Sequence, residues 1–244
     1  MATVSKVEPL VDALRGRILT GEFGDGKLPS FRTLGAEYNT TQETMNKVMQ
    51  ALQAEGVLVS QGTKGVFVNN ARIRMPGVVI DFTHYLEDEG LKAKSEFIEK
   101  PQLIKPSTDI IKRMGLKKGE QVLYRNRRQG TEQSMFRLYE EYFPQSLITE
   151  DMLEQIYINP DYNILLAIKD TFKKTIGYTQ EEIISRLPTA IEQKQLQIVR
   201  TNPIIYAQLK HFTEDKKTII TCNNKILNAN RFLLTYDYPV NQWK

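Results

Sequence analysis

The stretch "TTQETMNKVMQALQAEGVLVSQGTKGVFVN", from Thr40 to Asn69, decides the fold of the N-terminal part of this chain. Four of its apolar residues recur at helical spacing and form one stripe: Met45, Val48, Met49 and Leu52. Two β-rich runs follow, residues 57–59 and 66–68, and glycines in their connection allow a tight turn. The stretch therefore predicts a helix followed by a two-stranded hairpin.

The start of this helix carries an acidic residue where a DNA-reading helix would favour a basic one. Thr40 and Glu43 have the spacing of a capping box, in which each side chain satisfies a backbone N–H of the first turn. The carboxylate also suits the positive end of the helix dipole. We therefore expect Thr40 to cap the helix and Glu43 to stabilise it.

Upstream residues predict two more helices. Apolar residues recur at helical spacing from Leu10 to Ile18, and Ser30 is a favourable N-cap for a short helix that ends before Asn39. Three helices followed by a hairpin form a winged helix-turn-helix, in which the third helix enters the major groove. The same elements are also compatible with a protein-interaction module.

Composition sets limits without identifying a partner. The chain has 244 residues, 41% hydrophobic and 25% charged, and a net charge of +4. Residues 1–72 hold eight basic and seven acidic side chains, so bulk charge does not indicate nucleic acid. The single cysteine, Cys222, excludes an intramolecular disulfide. Without an apolar run of about 20 residues or a signal-peptide pattern, we expect a cytoplasmic protein with no membrane span.

The N-terminal motifs resemble the DNA-binding domain of GntR-family bacterial transcription regulators. The matching features are Leu28-Pro29-Ser30-x-Arg32, Leu34-x-x-x-Tyr38, Thr44, Leu52-x-x-Glu55-Gly56 and Gly65-x-Phe67-Val68. The resemblance implies binding to double-stranded DNA. Residues at the matching positions are expected to contact it: Arg32, Thr41, Gln42, Thr44, Asn46, Lys47, Lys64 and Gly65.

Three departures from the family pattern bear on the operator. Phe31 replaces a glutamate, Gln42 an arginine and Asn46 a basic residue. Amides pair bidentately with adenine, whereas arginine prefers guanine. We therefore expect an operator that depends less on guanine at those positions, and binding that depends less steeply on salt.

The rest of the chain predicts a second domain. Residues 70–77 are polar and basic and end in Pro-Gly, as in an interdomain linker, which leaves residues 1–69 and 78–244 as domains. Strand-like and helical segments mix after residue 78, which favours an α+β domain on a mostly antiparallel sheet. No acid–base constellation, metal-ligand spacing or phosphate loop is present, and the two histidines, His84 and His211, lie far apart. These observations predict that the protein is not an enzyme and has no cofactor. They also predict that Cys222 packs rather than reacts.

The run Arg125-Asn126-Arg127-Arg128 is the chemical oddity of this domain. Alternation along a strand places Arg125 and Arg127 on one face and Arg128 on the other. Two like charges on one face need an anion between them. That anion is either a bound phosphate or carboxylate, or a glutamate of this chain such as Glu140 or Glu141.

Four segments resemble the UTRA effector-binding domain of the HutC subfamily, which has the chorismate-lyase fold: "FTHYLEDEGLKAKSEFIE", "MGLKKGEQVLYRNRRQG", "EEYFP" and "NANRFLL". The resemblance implies that Arg125 and Arg127 bind an anionic effector. Tyr139 stands where the family often has a glutamate for a ligand hydroxyl, with Glu140 as the substitute if the register slips. Further expected pocket residues are Thr83, Ser95 and Phe232.

Together these features predict a transcription regulator, a repressor that binds a palindromic operator as a homodimer and responds to a small anionic metabolite such as a sugar phosphate. The alternatives are a chorismate-lyase-like enzyme with a helical appendage and a protein-interaction module.

Overall fold

The computed structural model describes residues 7–20, 22–23, 26–69, 73–76, 81–132 and 134–237. The chain divides into two compact units, Met1–Ile73 and Arg74–Lys244. Of the predicted linker 70–77, residues 73–76 form a β-strand, and the others lie outside the described residues.

The N-terminal unit is built from three helices and a hairpin. Its elements are α1 (Val7–Leu19), α2 (Phe31–Glu37), α3 (Gln42–Ala54), β1 (Leu58–Ser60) and β2 (Val66–Val68). β1 and β2 pair antiparallel, with Val59 opposite Phe67, and a 3-10 turn at Gly62–Lys64 joins them. The predicted apolar stripe of α3 is fully buried against α1 and α2. The winged helix-turn-helix prediction is confirmed.

Hydroxyl side chains start α2 and α3. The Ser30 Oγ accepts a hydrogen bond from the Thr33 N–H at 3.1 Å, as predicted. The expected capping box between Thr40 and Glu43 is wrong. Thr41 is the N-cap of α3, because the chain leaves α2 through Asn39 in the left-handed region (φ 49°) and so enters α3 one residue later.

The C-terminal unit surrounds a six-stranded antiparallel sheet with the order β4-β5-β6-β9-β8-β7. Its strands are β3 (Ile73–Pro76), β4 (Ala93–Ile104), β5 (Val122–Thr131), β6 (Met135–Pro144), β7 (Tyr178–Arg186), β8 (Ile204–Phe212), β9 (Ile219–Asn228) and β10 (Phe232–Thr235). Its helices are α4 (Phe82–Asp88), α5 (Thr108–Met114), α6 (Glu150–Ile158), α7 (Ile164–Phe172) and α8 (Ala190–Leu196). β3 and β10 form a separate two-stranded sheet. The expected α+β class with an antiparallel sheet is confirmed.

Helices cover both faces of the six-stranded sheet. On one face, α6 and α7 pack against Leu123 and Phe143. On the opposite face, α5 packs against Val122 and Cys222, and residues at and after the end of α8 pack against Leu138. The first face also carries the arginine pair, since Arg125 and Arg127 alternate with Leu123 along β5.

Candidate nucleic-acid interface and effector cavity

The surface of α3 opposite its buried stripe carries the predicted DNA-contacting side chains. Thr41, Gln42 and Lys47 are exposed, and Thr44 and Asn46 are half-buried. The first turn is therefore available to the edges of bases, as a recognition helix requires.

Two polar side chains of α3 have particular surroundings. The Lys47 Nζ lies 2.9 Å from the Glu43 carboxylate, and both side chains are exposed. An exposed pair of this kind is screened by solvent and contributes little to stability, so a DNA phosphate can compete for Lys47. The Asn46 Oδ1 is buried and has no hydrogen-bond partner within the described chain.

The other predicted DNA contacts lie on α2 and in the hairpin turn. Arg32, in the first turn of α2, and Lys64, in the 3-10 turn, are both exposed. Gly65 follows with φ 111°, a conformation that favours glycine, and this residue returns the chain into β2.

In the C-terminal unit, one carboxylate pairs with both of the arginines that are expected to bind the effector. The Nε and Nη2 of Arg125 donate to Glu141 at 2.7 and 2.8 Å, and the Arg127 Nε donates to it at 3.1 Å. All three side chains are buried. Burial alone would raise the pKa of Glu141, but the two guanidinium charges outweigh it and hold that pKa below its usual range. Glu141, one of the two partners considered from sequence, therefore pairs with both arginines.

The remaining arginine donors point at the connection between α6 and α7. This α6–α7 loop, Asn159–Asn163, places the Tyr162 carbonyl 2.8 Å from the Arg125 Nη1 and the Pro160 carbonyl 2.6 Å from the Arg127 Nη1. The Asp161 carboxylate also lies 3.8 Å from Arg127. The loop is thus held over the arginines by their own hydrogen bonds.

A chain of hydrogen bonds lies beside the cavity that the arginines line. The Thr83 hydroxyl donates to Asp161 at 2.7 Å and lies 3.3 Å from the Ser95 hydroxyl. The Gln129 amide donates to Ser95 at 3.1 Å. The partly open cavity, lined by both arginines and Gln129, has a volume of about 20 Å³, which is room for about one water molecule.

Two of the remaining predicted pocket residues adjoin this cavity. Tyr139 pairs with Arg127 across β5 and β6, and the central guanidinium carbon of Arg127 lies 5.8 Å from the centre of the Tyr139 ring. The Tyr139 hydroxyl accepts a hydrogen bond from the Asn223 amide at 2.6 Å. Phe232 is buried against Phe82, a residue that lines the cavity.

Glu140 is not part of the cavity. Because Tyr139 is the residue paired with Arg127, Glu140 faces the opposite side of the sheet, where it accepts a hydrogen bond from Asn224. The one-residue slip in register that would place it with the arginines does not occur.

Two residues of this face, Arg137 and Gln129, were not predicted from the sequence, although strand alternation would have indicated them. Counting by two from Tyr139 gives Arg137, and counting by two from Arg127 gives Gln129. Both side chains are buried.

The histidines and the cysteine are not among the residues that line this cavity. His84 is exposed, whereas His211 is buried and its Nδ1 lies 2.8 Å from the Thr179 hydroxyl. Cys222 packs in the core on the opposite face, where burial raises the pKa of its thiol to about 11. No group of His, Cys, Asp or Glu suited to a metal ion occurs among the described residues. No described helix is long and apolar enough to cross a bilayer.

A winged helix with an exposed recognition helix, on the same chain as a domain with a polar cavity, defines a DNA-binding regulator with an effector-binding domain. The model of the gntR family of bacterial regulatory proteins matches residues 6–68, and that of the UTRA domain matches residues 88–232. The chain belongs to the GntR family, with a UTRA domain, and is a transcription regulator rather than an enzyme.

Known relatives agree with this assignment. The chain is 24% identical over 199 residues to the mannosyl-D-glycerate transport/metabolism system repressor MngR of Escherichia coli, covering 80% of each protein. It is 24% identical over 213 residues to the transcriptional regulator GmuR of Bacillus subtilis, covering 83% of this chain and 85% of that one. The crystal structure of PhnF from Mycobacterium smegmatis has the same fold, with a TM-score of 0.64, 18% identity and coverage of 88% of this chain and 93% of that one.

Proposed function

We propose that this regulator is a homodimeric, cytoplasmic repressor whose operator binding is modulated by a small anionic metabolite, with sugar phosphates as the first candidates. We assign DNA binding to residues 1–69 and effector binding and dimerisation to 78–244, joined by the segment 70–77, which contains strand β3. The observation that carries the proposal is the buried pair Arg125 and Arg127, which share a single carboxylate beside a cavity.

The bonding of the arginine pair favours an incoming anion. Beyond Glu141, the two guanidinium groups donate hydrogen bonds to the carbonyls of Pro160 and Tyr162. Hydrogen bonds between two charged groups are roughly twice as strong as those between neutral groups, and guanidinium forks match phosphate oxygens. A phosphate that replaces the two carbonyls would therefore gain free energy.

Such a ligand would also change the conformation of the domain. The cavity has room for only about one water molecule, so a metabolite needs the α6–α7 loop to move away. The effector acts by favouring the open-loop state, and it shifts DNA binding only to the extent that it binds the two states unequally.

The DNA contacts proposed are Arg32, Thr41, Gln42, Thr44, Asn46, Lys47, Lys64 and Gly65. Their support is the accessible first turn of α3 and the exposed cations on α2 and in the hairpin. Gln42 is the proposed base reader, and Arg32, Lys47 and Lys64 are proposed to contact phosphates. A dimer with two such units would bind a palindrome.

The β7 edge of the six-stranded sheet supports a homodimer, since among the described strands β7 pairs only with β8. β7 is the last strand of the sheet, and several apolar side chains on it and after it are exposed: Ile183, Ile184, Leu187 and Ile191. An exposed apolar edge strand is a template for pairing, and a second copy of the same strand can form a closed two-fold interface. The name of the relative MngR, a mannosyl-D-glycerate transport/metabolism system repressor, supports two further parts of the proposal. These are the role as a repressor and the choice of sugar derivatives as candidate effectors.

The test is a gel-shift titration with the DNA upstream of the protein's own gene, with and without a panel of sugar phosphates. Retardation that one panel member changes, and that Arg125→Ala makes insensitive to it, would support the proposal. Arg128→Ala is the matched control, because Arg128 pairs with Glu96 on the other side of the sheet. An unchanged response in Arg125→Ala would rule out this cavity as the effector site.

A further inference from the structure

Arg137 is a buried cation that the arginine pair leaves unexplained. It lies in β6 directly opposite Gln129, and only 1% of its surface is exposed. No carboxylate of the described residues lies within ion-pair distance of it. Buried charges are usually paired, because an uncompensated charge in the interior is costly.

The other buried cations of this face each have a carboxylate. Arg125 and Arg127 share Glu141, and the Lys225 Nζ lies 2.7 Å from Glu181. Desolvation lowers the pKa of Arg137 to about 9, which leaves the group charged at neutral pH. Tyr139, Glu141 and Asp81 favour its charge and Arg127 opposes it, all without an ion pair.

The guanidinium of Arg137 is held by two aromatic rings and by the amide of Gln129. Its central carbon lies 4.0 Å from the centre of the Phe82 ring and 4.2 Å from that of Tyr139, so the group is placed between two aromatic side chains. Its Nε donates to the Gln129 Oε1 at 3.0 Å, and its Nη2 donates to the same oxygen. Stacking and hydrogen bonding together orient the group before any ligand arrives.

One edge of this guanidinium remains without an acceptor. Gln129 occupies the edge formed by Nε and Nη2, whereas Nη1 makes no hydrogen bond to any residue that the structure describes. Nη1 and the second N–H of Nη2 form the end of the fork, which matches the two oxygens of a carboxylate. The unfilled end therefore has the geometry of a carboxylate receptor.

Arg137 is also close to the effector cavity. The two residues that hold it, Phe82 and Gln129, both line that cavity. Arg127 pairs with Tyr139, so Arg137 is the diagonal neighbour of Arg127 on the next strand. Diagonal neighbours have their Cβ atoms roughly 7 Å apart, within the reach of one ligand with charged groups at both ends.

We propose that the effector carries a second anionic group, a carboxylate, and that Arg137 selects for it. The effector class is then a phosphorylated sugar acid, with its phosphate on Arg125 and Arg127 and its carboxylate on the open end of Arg137. This inference rests on the proposed function, because it assumes that the arginine pair binds the phosphate.

A matched pair of probes tests this selection. Glucose 6-phosphate and 6-phosphogluconate share a phosphorylated six-carbon skeleton, and only the second has a carboxylate at its other end. We expect isothermal titration calorimetry to show that the full-length protein binds 6-phosphogluconate at least about tenfold more tightly, the ratio that one charge-assisted hydrogen bond supports. Equal affinities for the two probes would overturn the inference.

Variants locate the selection at Arg137. In Arg137→Met the preference for 6-phosphogluconate should disappear while binding of glucose 6-phosphate persists, and Arg137→Lys should retain part of it. Arg128→Met, a variant of a neighbouring arginine on the other sheet face, should bind both probes as the unmodified protein does. A preference that persists in a folded Arg137→Met protein would overturn the inference. If that variant does not fold, the relative affinities of the two probes for the unmodified protein and for Arg137→Lys still test the inference.

The two proposals fail in different ways. If both phosphates bind equally and Arg125→Met abolishes both, the proposed function stands and the second anionic site is wrong. If neither phosphate binds the unmodified protein, both the sugar-phosphate effector and this inference are wrong.

Discussion

The Thr41 hydroxyl accepts a hydrogen bond from the Thr44 N–H at 3.2 Å, and this contact begins α3. Replacing Thr41 with alanine should lower the free energy of unfolding of the N-terminal unit by about 1 kcal/mol, the usual value of an N-cap. Thr40→Ala should change it by less than about 0.5 kcal/mol. Urea denaturation of both variants checks this, and equal losses would contradict the assignment of the cap.

Arg32→Ala should reduce the salt dependence of DNA binding. One phosphate contact fewer lowers the slope of log affinity against log salt concentration by about 1. Fluorescence anisotropy titrations over a range of salt concentrations measure this slope. Lys100→Ala, which removes an exposed charge from β4 in the other unit, is the control and should leave it unchanged.

Gln42→Arg should change which base the operator requires. The amide of Gln42 can pair bidentately with adenine, whereas arginine favours guanine, with a discrimination of about 1–3 kcal/mol for a good pair. Sequencing of selected binding sites should therefore show a shift toward guanine at one position of each half-site. Strong guanine preference in the unmodified protein at that position would contradict the role of Gln42.

His211 should make the stability of the C-terminal unit depend on pH. Desolvation lowers the pKa of this buried histidine to about 4, below its unfolded value near 6.5. The unfolded chain therefore binds the proton first, and stability falls as pH decreases from about 6.5 to about 4, by up to about 1.4 kcal/mol per pH unit. Urea unfolding across this range should show the loss.

The matched variants for this prediction are His211→Gln and His84→Gln. The first should lose the component of the pH dependence that comes from His211, and the second, at an exposed histidine, should retain it. A pH profile that is identical in all three proteins would contradict the assignment.

Ile184→Lys should weaken the proposed dimer. Ile184 is 56% exposed on the edge strand β7, and a lysine there places like charges opposite each other across a two-fold interface. Sedimentation equilibrium should show at least a tenfold higher dissociation constant. Leu166→Lys, at a similarly exposed apolar residue on α7, is the control. An unchanged mass distribution in Ile184→Lys would place the interface elsewhere.

The sequence predicted those features that depend on local pattern. The apolar spacing on α3 and the alternation of Arg125 and Arg127 each survive in the structure because periodicity determines which side is buried. The cap of α3 was misplaced, since Thr40 and Thr41 are both good caps and only the turn through Asn39 decides between them. Local pattern alone does not resolve such a choice.

Contacts between residues that lie far apart in the chain could not be predicted from the sequence. That Glu141 serves two arginines depends on the register of β5 and β6, which a single residue of slip would change. The sequence likewise gave no sign that Arg137 would lie between Phe82 and Tyr139, because Phe82 is on a different element.

If the arginine pair binds the effector as proposed, the α6–α7 loop gives the regulator a threshold. Its Pro160 and Tyr162 carbonyls occupy arginine donors that an anion would use, so the protein competes with its own effector. The apparent dissociation constant then equals the intrinsic one divided by the fraction of molecules with the loop open. A substitution that loosens the loop would make the regulator respond at lower metabolite concentrations, and one that tightens the loop would make it respond only at higher concentrations. Sensitivity can therefore change through this short segment without altering the arginine pair or the recognition helix.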